Sequence, residues 1–342
     1  MLLLCNYYIT YRCNAYCEFC HFGIHENFNK TPFAGLEDFY RNISELAGLG
    51  VKFIDLTGGE PLLHKEIHLM AKHARALKMQ TSITTNALLY PKFAEKLAGN
   101  VNLLHFSLDS PDEEEHNKIR KVNCFKFVFE SIRIAKSLGE FPDILFTVTD
   151  ETYMKLPRMY DNAVENDLVL LVNPVFSYFG NPGLSNHAID FIEEYIEGKS
   201  GIYLNKGFLK LRRDGGNDIN KPSCKAVSRV IVISPYNEII LPCYHFGNEK
   251  IFIDKPIKEI RNSEKINYFK KMEGRFEFCK GCTINCYFEP SFAFPTSFYA
   301  FSALSSKFKY SYHKLIKQPL TRRRQVIGLP RRSSKGTETG ER

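Results

Sequence analysis

The chain has 342 residues, 44% hydrophobic and 25% charged, with a formal net charge of +8 and ten cysteines. This is a globular balance, long enough for about two domains. No apolar run reaches the ~18–20 residues that span a bilayer, and ten cysteines are too sparse for a disulfide scaffold. The charge is local: residues 303–342 hold 11 Lys/Arg against 2 Asp/Glu, and the remainder sums to −1.

The opening MLLLCNYYIT has neither a basic n-region nor a small-residue cleavage site, so it reads as a strand and not as a signal peptide. Short β-rich runs then alternate with amphipathic stretches. The strands are expected at Leu2–Thr10, Val51–Thr57, Met79–Thr85, Val101–Leu108, Ile144–Thr149 and Leu168–Val175. Helices are expected around Leu36–Leu49, Lys65–Lys78, Tyr90–Ala98, Phe125–Leu138 and Lys155–Asn166. A helix in each gap predicts a parallel sheet, because parallel neighbours need crossovers. The fold class is α/β, a partial (β/α)6 TIM-like barrel over residues 1–178.

A turn cluster at Gly180-Asn181-Pro182-Gly183 opens a helical linker, 179–223, with a helix near Asn186–Gly198 and a polar break at Arg213–Asn217. A small cysteine-rich module, 224–290, is expected to hold a hairpin, Val230–Ser234 with Glu238–Leu241, and a helix at Ser263–Met272. An aromatic and basic helix over 291–320 and a disordered basic tail over 321–342 complete the chain.

Eight cysteines fall into two groups with ligand-like spacing, which favours metal over disulfides and a reducing compartment, so a cytoplasmic location is expected. Cys13, Cys17 and Cys20 stand at Cys-x3-Cys-x2-Cys just after the first strand. Three thiolates on one loop hold three irons of a cubane and leave the fourth without a protein ligand, free for a small molecule. The alternative is a zinc site completed by His21 or His25. After the second strand comes Gly58-Gly59-Glu60-Pro61, where glycines permit close backbone approach and the carboxylate accepts from an ammonium group. In the second group, Cys224 and Cys243 flank the hairpin, and Cys279, Cys282 and Cys286 follow. A Cys-x2-Cys pair fits zinc or iron–sulfur ligation. Cys5 and Cys124 lack partner spacing and read as ordinary cysteines.

The two motifs together resemble the radical S-adenosylmethionine (radical SAM) superfamily over about residues 5–175. The resemblance implies that Cys13, Cys17 and Cys20 bind a [4Fe–4S] cluster and that Phe19 lies beside the adenine of S-adenosylmethionine (SAM). Gly58, Gly59, Glu60 and Pro61 match the motif contacting the cofactor's amino group. Thr85-Asn86 and Ser107-Leu108-Asp109 match the polar strand ends near ribose and carboxylate. Arg120 resembles an arginine that reaches the cofactor carboxylate, although the family commonly has Gly where this chain has Lys121. The implied chemistry is one-electron cleavage of SAM to methionine and a 5′-deoxyadenosyl radical, which abstracts hydrogen from a peptide, small-molecule or lipid substrate. An electron donor such as flavodoxin or ferredoxin is implied as partner.

The second group resembles the SPASM and shorter twitch auxiliary modules. With five cysteines in place of about seven, one auxiliary [4Fe–4S] cluster is expected. The preferred ligands are Cys224, Cys243, Cys279 and Cys282, with Cys286 a replacement or a spare thiol. The rival reading is a non-catalytic protein with two zinc sites.

Phe298, Phe301, Leu304, Phe308, Tyr312 and Leu315 recur at helical spacing among Lys307, Lys309, Lys314 and Lys317. Two readings compete: the aromatic face docks on the barrel or module, or the helix lies on an anionic membrane surface, giving a peripheral location. Nucleic acid is not expected, since the body is neutral and no base-reading module is present.

Overall fold

A computed structural model describes residues 2–23, 26–177, 181, 183–247, 249–293 and 298–317. Strand β1 (Leu4–Thr10) leads to α1 (Leu36–Gly48), β2 (Phe53–Gly58) to α2 (Ile67–Ala76), and β3 (Gln80–Thr85) to α3 (Tyr90–Leu97). Strand β4 (Leu103–Ser107) is followed by α4 (Glu113–Arg120) and α5 (Phe125–Ser137), β5 (Asp143–Val148) by α6 (Leu156–Glu165), and β6 (Val169–Pro174) by α7 (Asn186–Ile196). The six strands pair in parallel in chain order. The expected bounds hold, with shifts only at element ends, where assignment is least sharp.

The pattern that forms each element also buries it. In α1 the buried residues Phe39, Asn42, Ile43 and Leu46 fall on one face at helical spacing. Strand β1 divides its side chains between two cores. Cys5, Tyr7 and Ile9 pack under the helices, whereas Tyr8, with Tyr11 just beyond the strand, joins a second cluster with Cys224, Val232, Cys243 and Phe288.

The C-terminal part extends the same sheet. Strand β7 (Ile202–Tyr203) pairs with β6 and is followed by α8 (Lys206–Arg213). Strand β8 (Val230–Ile233) pairs in parallel with β1, from Leu4↔Val230 to Tyr7↔Ile233. Strands β9 (Glu238–Leu241) and β10 (Glu249–Phe252) continue antiparallel. The order is β10-β9-β8-β1-β2-β3-β4-β5-β6-β7. The expected hairpin is present, and it is built onto the barrel sheet. Strand β8 is buried at every residue, the signature of a strand covered on both faces. Helices α9 (Ile257–Arg261), α10 (Glu264–Met272), α11 (Asn285–Ser291) and α12 (Phe298–Tyr312) follow.

The sheet curls. In a flat sheet β1 and β6 would stand about 24 Å apart, yet α11 reaches both. Asn285 Nδ2 donates to Asn173 Oδ1 (2.7 Å) and Pro174 O (2.9 Å) at the end of β6. Tyr287 Oη accepts from the Tyr244 N–H (2.7 Å), and the Tyr244 ring stacks on Tyr8 of β1 at 4.2 Å. The cysteine-rich segment therefore bridges the open side of a partial barrel.

Helix α12 corrects one expectation. It docks through Ala300, Ala303 and Ser306, while Phe298, Phe301, Leu304, Phe308 and Tyr312 are exposed. Small residues allow closer approach to α8 and β7 than an aromatic face would. The side chains of Leu315 and Lys317, His25, parts of the Gly180–Gly183 cluster and the tail 321–342 lie outside the described residues.

Candidate active site

The Cys13–Cys20 loop leaves β1 through a bulge, because Tyr8 pairs with Thr57 and Thr10 with the next residue, Gly58. A bulge re-aims the chain where the strand ends. Gly58, at φ +151°, and Gly59 press on this exit. A Cβ on Gly58 would stand 1.9 Å from Thr10 O, and one on Gly59 2.2 Å from Arg12 O. The Gly59 and Glu60 N–H groups donate to those same two carbonyls at 3.1 and 2.8 Å. The glycines thus serve a contact between backbones that seats the cysteine loop.

The other side of the loop rests on the end of α4, where Tyr16 N–H donates to Arg120 O (3.0 Å) and Glu18 N–H to Ile119 O (3.1 Å). Helix α4 ends at Lys121 in the left-handed conformation, φ +53°. The position where the family commonly has glycine is therefore one that glycine would occupy without strain, and the lysine keeps the same geometry.

Glu60, 2% exposed, accepts from Leu62 N–H (3.0 Å) and Thr85 Oγ1–H (2.7 Å) on Oε1 and from Asn86 N–H (2.9 Å) on Oε2. It joins the ends of β2 and β3. Burial raises its pKa, and these hydrogen bonds only partly oppose the rise. A carboxylate has about four acceptor sites, so Oε2 retains one. Asn86 Nδ2 in turn donates to Asn14 Oδ1 (2.7 Å) inside the cysteine loop.

Arg120 and Asp109 meet directly. The Arg120 Nε and Nη2 groups donate to one Asp109 oxygen at 2.7 and 2.6 Å, and the other accepts from Thr147 N–H (3.2 Å). Burial lowers the Arg120 pKa, but Asp109 reverses this and the net shift is upward. His116 Nδ1 accepts from the Asp109 N–H (3.1 Å), which assigns the ring proton to Nε2, 3.2 Å from Cys124 Sγ. Ser107 is buried at the end of β4. Phe19, Asp109, Ile119, Thr147 and Val175 line a cavity of about 750 Å³ whose mouth adds Glu18, Asp112, Glu114, Glu115, Asp150 and Glu151 against Lys118 and Lys155.

None of the ten cysteines is paired in a disulfide. Burial pushes Cys13 up to about 12 and Cys20 up to about 11, and raises Cys17. Such thiols need a bound cation to ionise, which suits iron ligation. In the second group, the charges of Cys243, Cys279 and Cys282 each raise the buried Cys224, and those of Cys282 and Cys279 raise Cys243, so these four are within electrostatic reach of one another. Cys286 is exposed and sits within electrostatic reach of Cys282, of Asp55 on β2 and of Tyr8 on β1. Among the described residues no three His, Cys, Asp or Glu side chains converge on one point as a single-ion site needs.

Sequence reading missed Asn217, taken as part of a polar break. Its Oδ1 accepts from the Ser223 and Cys224 N–H groups (3.1 and 3.4 Å), and its Nδ2 donates to Gly274 O (2.8 Å) and Cys279 O (3.1 Å). Its backbone exchanges hydrogen bonds with Cys282 O and Gly281 N–H. The available signal was the Gly215-Gly216-Asn217 run, since a Cβ on Gly216 would meet Gly281 C at 2.4 Å. Arg212 was also missed. Its Nη2 donates to Pro174 O and Val175 O beside β6 and to Thr283 O and Asn285 Oδ1. Finally, His21 Nε2 and Tyr244 Oη lie 3.2 Å apart, joining the residues that follow Cys20 and Cys243.

Comparison with known proteins agrees with this layout. The model of the radical SAM superfamily matches residues 7–163. A probable GTP 3′,8-cyclase of Methanococcus maripaludis strain C6 is 26% identical over 290 residues, covering 80% of this chain and 94% of that protein. A GTP 3′,8-cyclase of Paracoccus denitrificans is 32% identical over 136 residues, 38% of this chain and 40% of its own. Among solved structures, native anSMEcpe with bound AdoMet is similar with TM-score 0.62 and 20% identity, covering 93% of this chain and 98% of that one. SuiB of Streptococcus suis bound to precursor peptide SuiA is similar with TM-score 0.63 and 20% identity, covering 78% and 66%. With its cysteine loop clamped between the Gly-Gly turn and α4 at the C-terminal ends of a parallel sheet, the chain carries over residues 7–163 the pattern of the radical SAM superfamily, whose members work with a [4Fe–4S] cluster and SAM.

Proposed function

We propose that Cys13, Cys17 and Cys20 hold the catalytic cluster, and that Phe19, Gly58, Gly59, Glu60, Pro61, Asn86, Ser107, Asp109 and Arg120 form the SAM site. Cys224, Cys243, Cys279 and Cys282 then hold one auxiliary [4Fe–4S] cluster, with Cys286 beside it. The observation that supports this reading is the clamp on the cysteine loop, which holds Arg12 against the Glu60 N–H and leaves Glu60 within electrostatic reach of Cys13 and Cys17. When bound and reduced, the cluster supplies the electron that splits SAM into methionine and the 5′-deoxyadenosyl radical that takes hydrogen from substrate. Glu60 Oε2 accepts from the cofactor's ammonium group, and Asn86 keeps the loop in register with β3. The Asp109–Arg120 pair presents a fixed, nearly neutral wall, while Phe19 covers the cavity on the cysteine side. A flavodoxin or ferredoxin serves as reductant.

The cavity mouth supports a substrate class. Six carboxylates and two lysines line it. Such a rim repels a triphosphate, attracts cationic molecules and does not oppose neutral ones, so a peptide or an uncharged or basic small molecule is favoured. The named activity of the curated relatives favours GTP as a second reading. Release of 5′-deoxyadenosine from reduced protein, with GTP, with lysine-containing peptides and with neutral peptides, separates the two. Stimulation by peptides alone supports the proposed class. Stimulation by GTP alone would overturn that class and leave the radical reading intact.

A further inference from the structure

Helix α12 has two unlike faces. The inner one is already engaged: Ala300, Ala303 and Ser306 are buried, Tyr310 Oη donates to Asp143 Oδ2 (2.7 Å), and Lys314 Nζ pairs with Asp143 Oδ1 (2.7 Å). Lys307 adds an ion pair to Glu289 at 2.9 Å. The outer face carries Phe298, Phe301, Leu304, Phe308 and Tyr312, between 48% and 68% exposed. Docking therefore leaves the aromatic stripe outward along a helix about 20 Å long. An apolar patch of that extent marks an interaction surface, and as a convex ridge it cannot enclose a small ligand.

Charge identifies what covers it. Lys309 is exposed at the margin of the stripe, and the Lys210 ammonium stands 4.9 Å over the Phe298 ring. The 25 residues that follow the described part, 318–342, hold seven Lys/Arg and two Glu, among them Arg322-Arg323-Arg324 and Arg331-Arg332. Aromatic residues on one helical face with adjoining basic sequence are the composition of a segment that lies in a lipid headgroup region. A second copy would bring two such basic segments together, and the neutral body offers nucleic acid no further contact. No described helix is long and apolar enough to cross a membrane. We propose that α12 lays this enzyme on an anionic phospholipid surface.

The test uses the full chain with its clusters reconstituted, floated anaerobically with phosphatidylcholine vesicles with and without about a third phosphatidylglycerol. The comparison is the double variant Phe301→Ser, Phe308→Ser, whose sites are exposed and whose melting temperature is checked against the parent. The proposal expects flotation with the anionic vesicles only, weakened by salt, and lost at least about tenfold in the double variant. Equal flotation of parent and variant, or none of the parent, would overturn it. Two other results would also overturn it: a parent dimer that becomes monomeric in the variant, or tight binding of a single-stranded oligonucleotide in place of vesicles.

Discussion

Lys121 shows how a departure from a family pattern is tolerated. Its left-handed backbone costs a lysine strain that glycine avoids. Lys121→Gly should stabilise the protein by about 0.5–1 kcal/mol, measured as a shift of the urea midpoint at unchanged slope. Glu60 is the opposite case, a residue whose replacement must hurt. In Glu60→Gln one acceptor oxygen becomes an NH2 group facing N–H or O–H donors. The loss should be about 1–3 kcal/mol in denaturation, together with weaker SAM binding by calorimetry.

His116 gives the site a dependence on acid. Burial first, and the Arg120 charge second, lower its pKa to about 3, against 6.5 for the free side chain. Because the folded value lies below the unfolded one, the unfolded chain binds the extra proton between those values. The stabilisation is complete above about pH 6.5 and is lost as the pH falls through the window. On going from about pH 7 to about pH 5 this amounts to roughly 2 kcal/mol at most. Protonation also removes the acceptor for the Asp109 N–H. A urea series over that range should show the slope, and a His116→Gln variant should flatten it.

At the level of elements, Asn217 ties the Cys224 segment to the Cys279–Cys282 turn and to Gly274. Asn217→Ala leaves the Gly274 carbonyl and the Ser223 and Cys224 N–H groups unpaired and takes one of its two donors from Cys279 O, so a loss of about 2–4 kcal/mol is expected. The lost structure should include auxiliary-site iron in chemical analysis, while the Cys13–Cys20 site keeps its own.

Much of the element pattern was legible beforehand. Period-2 and period-3.6 hydrophobicity over 1–178 marked β1 to β6 and their helices, because each buries one regular face. Helix α4 was not marked, since its sequence EEEHNKIR is polar and buries only His116 and Arg120. Strand β7, of two residues, is too short for any period. Strands β8 and β9 were visible as a hairpin, but their attachment to β1 depends on pairing across more than 200 residues, which local pattern does not encode. The cysteine spacings marked both candidate groups. The hydrogen bonds of Asn217 and Arg212 come from tertiary approach, and polarity alone made them resemble loop residues. For α12 the stripe was legible and its direction was not, because a helix with an aromatic face and a small-residue face can dock by either.

At the scale of the molecule, one curled sheet carries both cysteine groups. Strand β8 extends β1, α11 returns to β6, and the pair His21 and Tyr244 connects the residues next to Cys20 and Cys243. The Cys13–Cys20 loop is thus held by the barrel on one side and by the C-terminal segment on the other. The central claim is that Cys13, Cys17 and Cys20 support reductive cleavage of SAM. Anaerobically reconstituted and reduced protein, incubated with SAM, is assayed for 5′-deoxyadenosine and methionine beside a Cys20→Ala variant. The account predicts both products from the parent, iron and sulfide for two [4Fe–4S] clusters, and no 5′-deoxyadenosine from the variant. A colourless parent containing zinc and leaving SAM intact, or a Cys20→Ala variant as active as the parent, would contradict it.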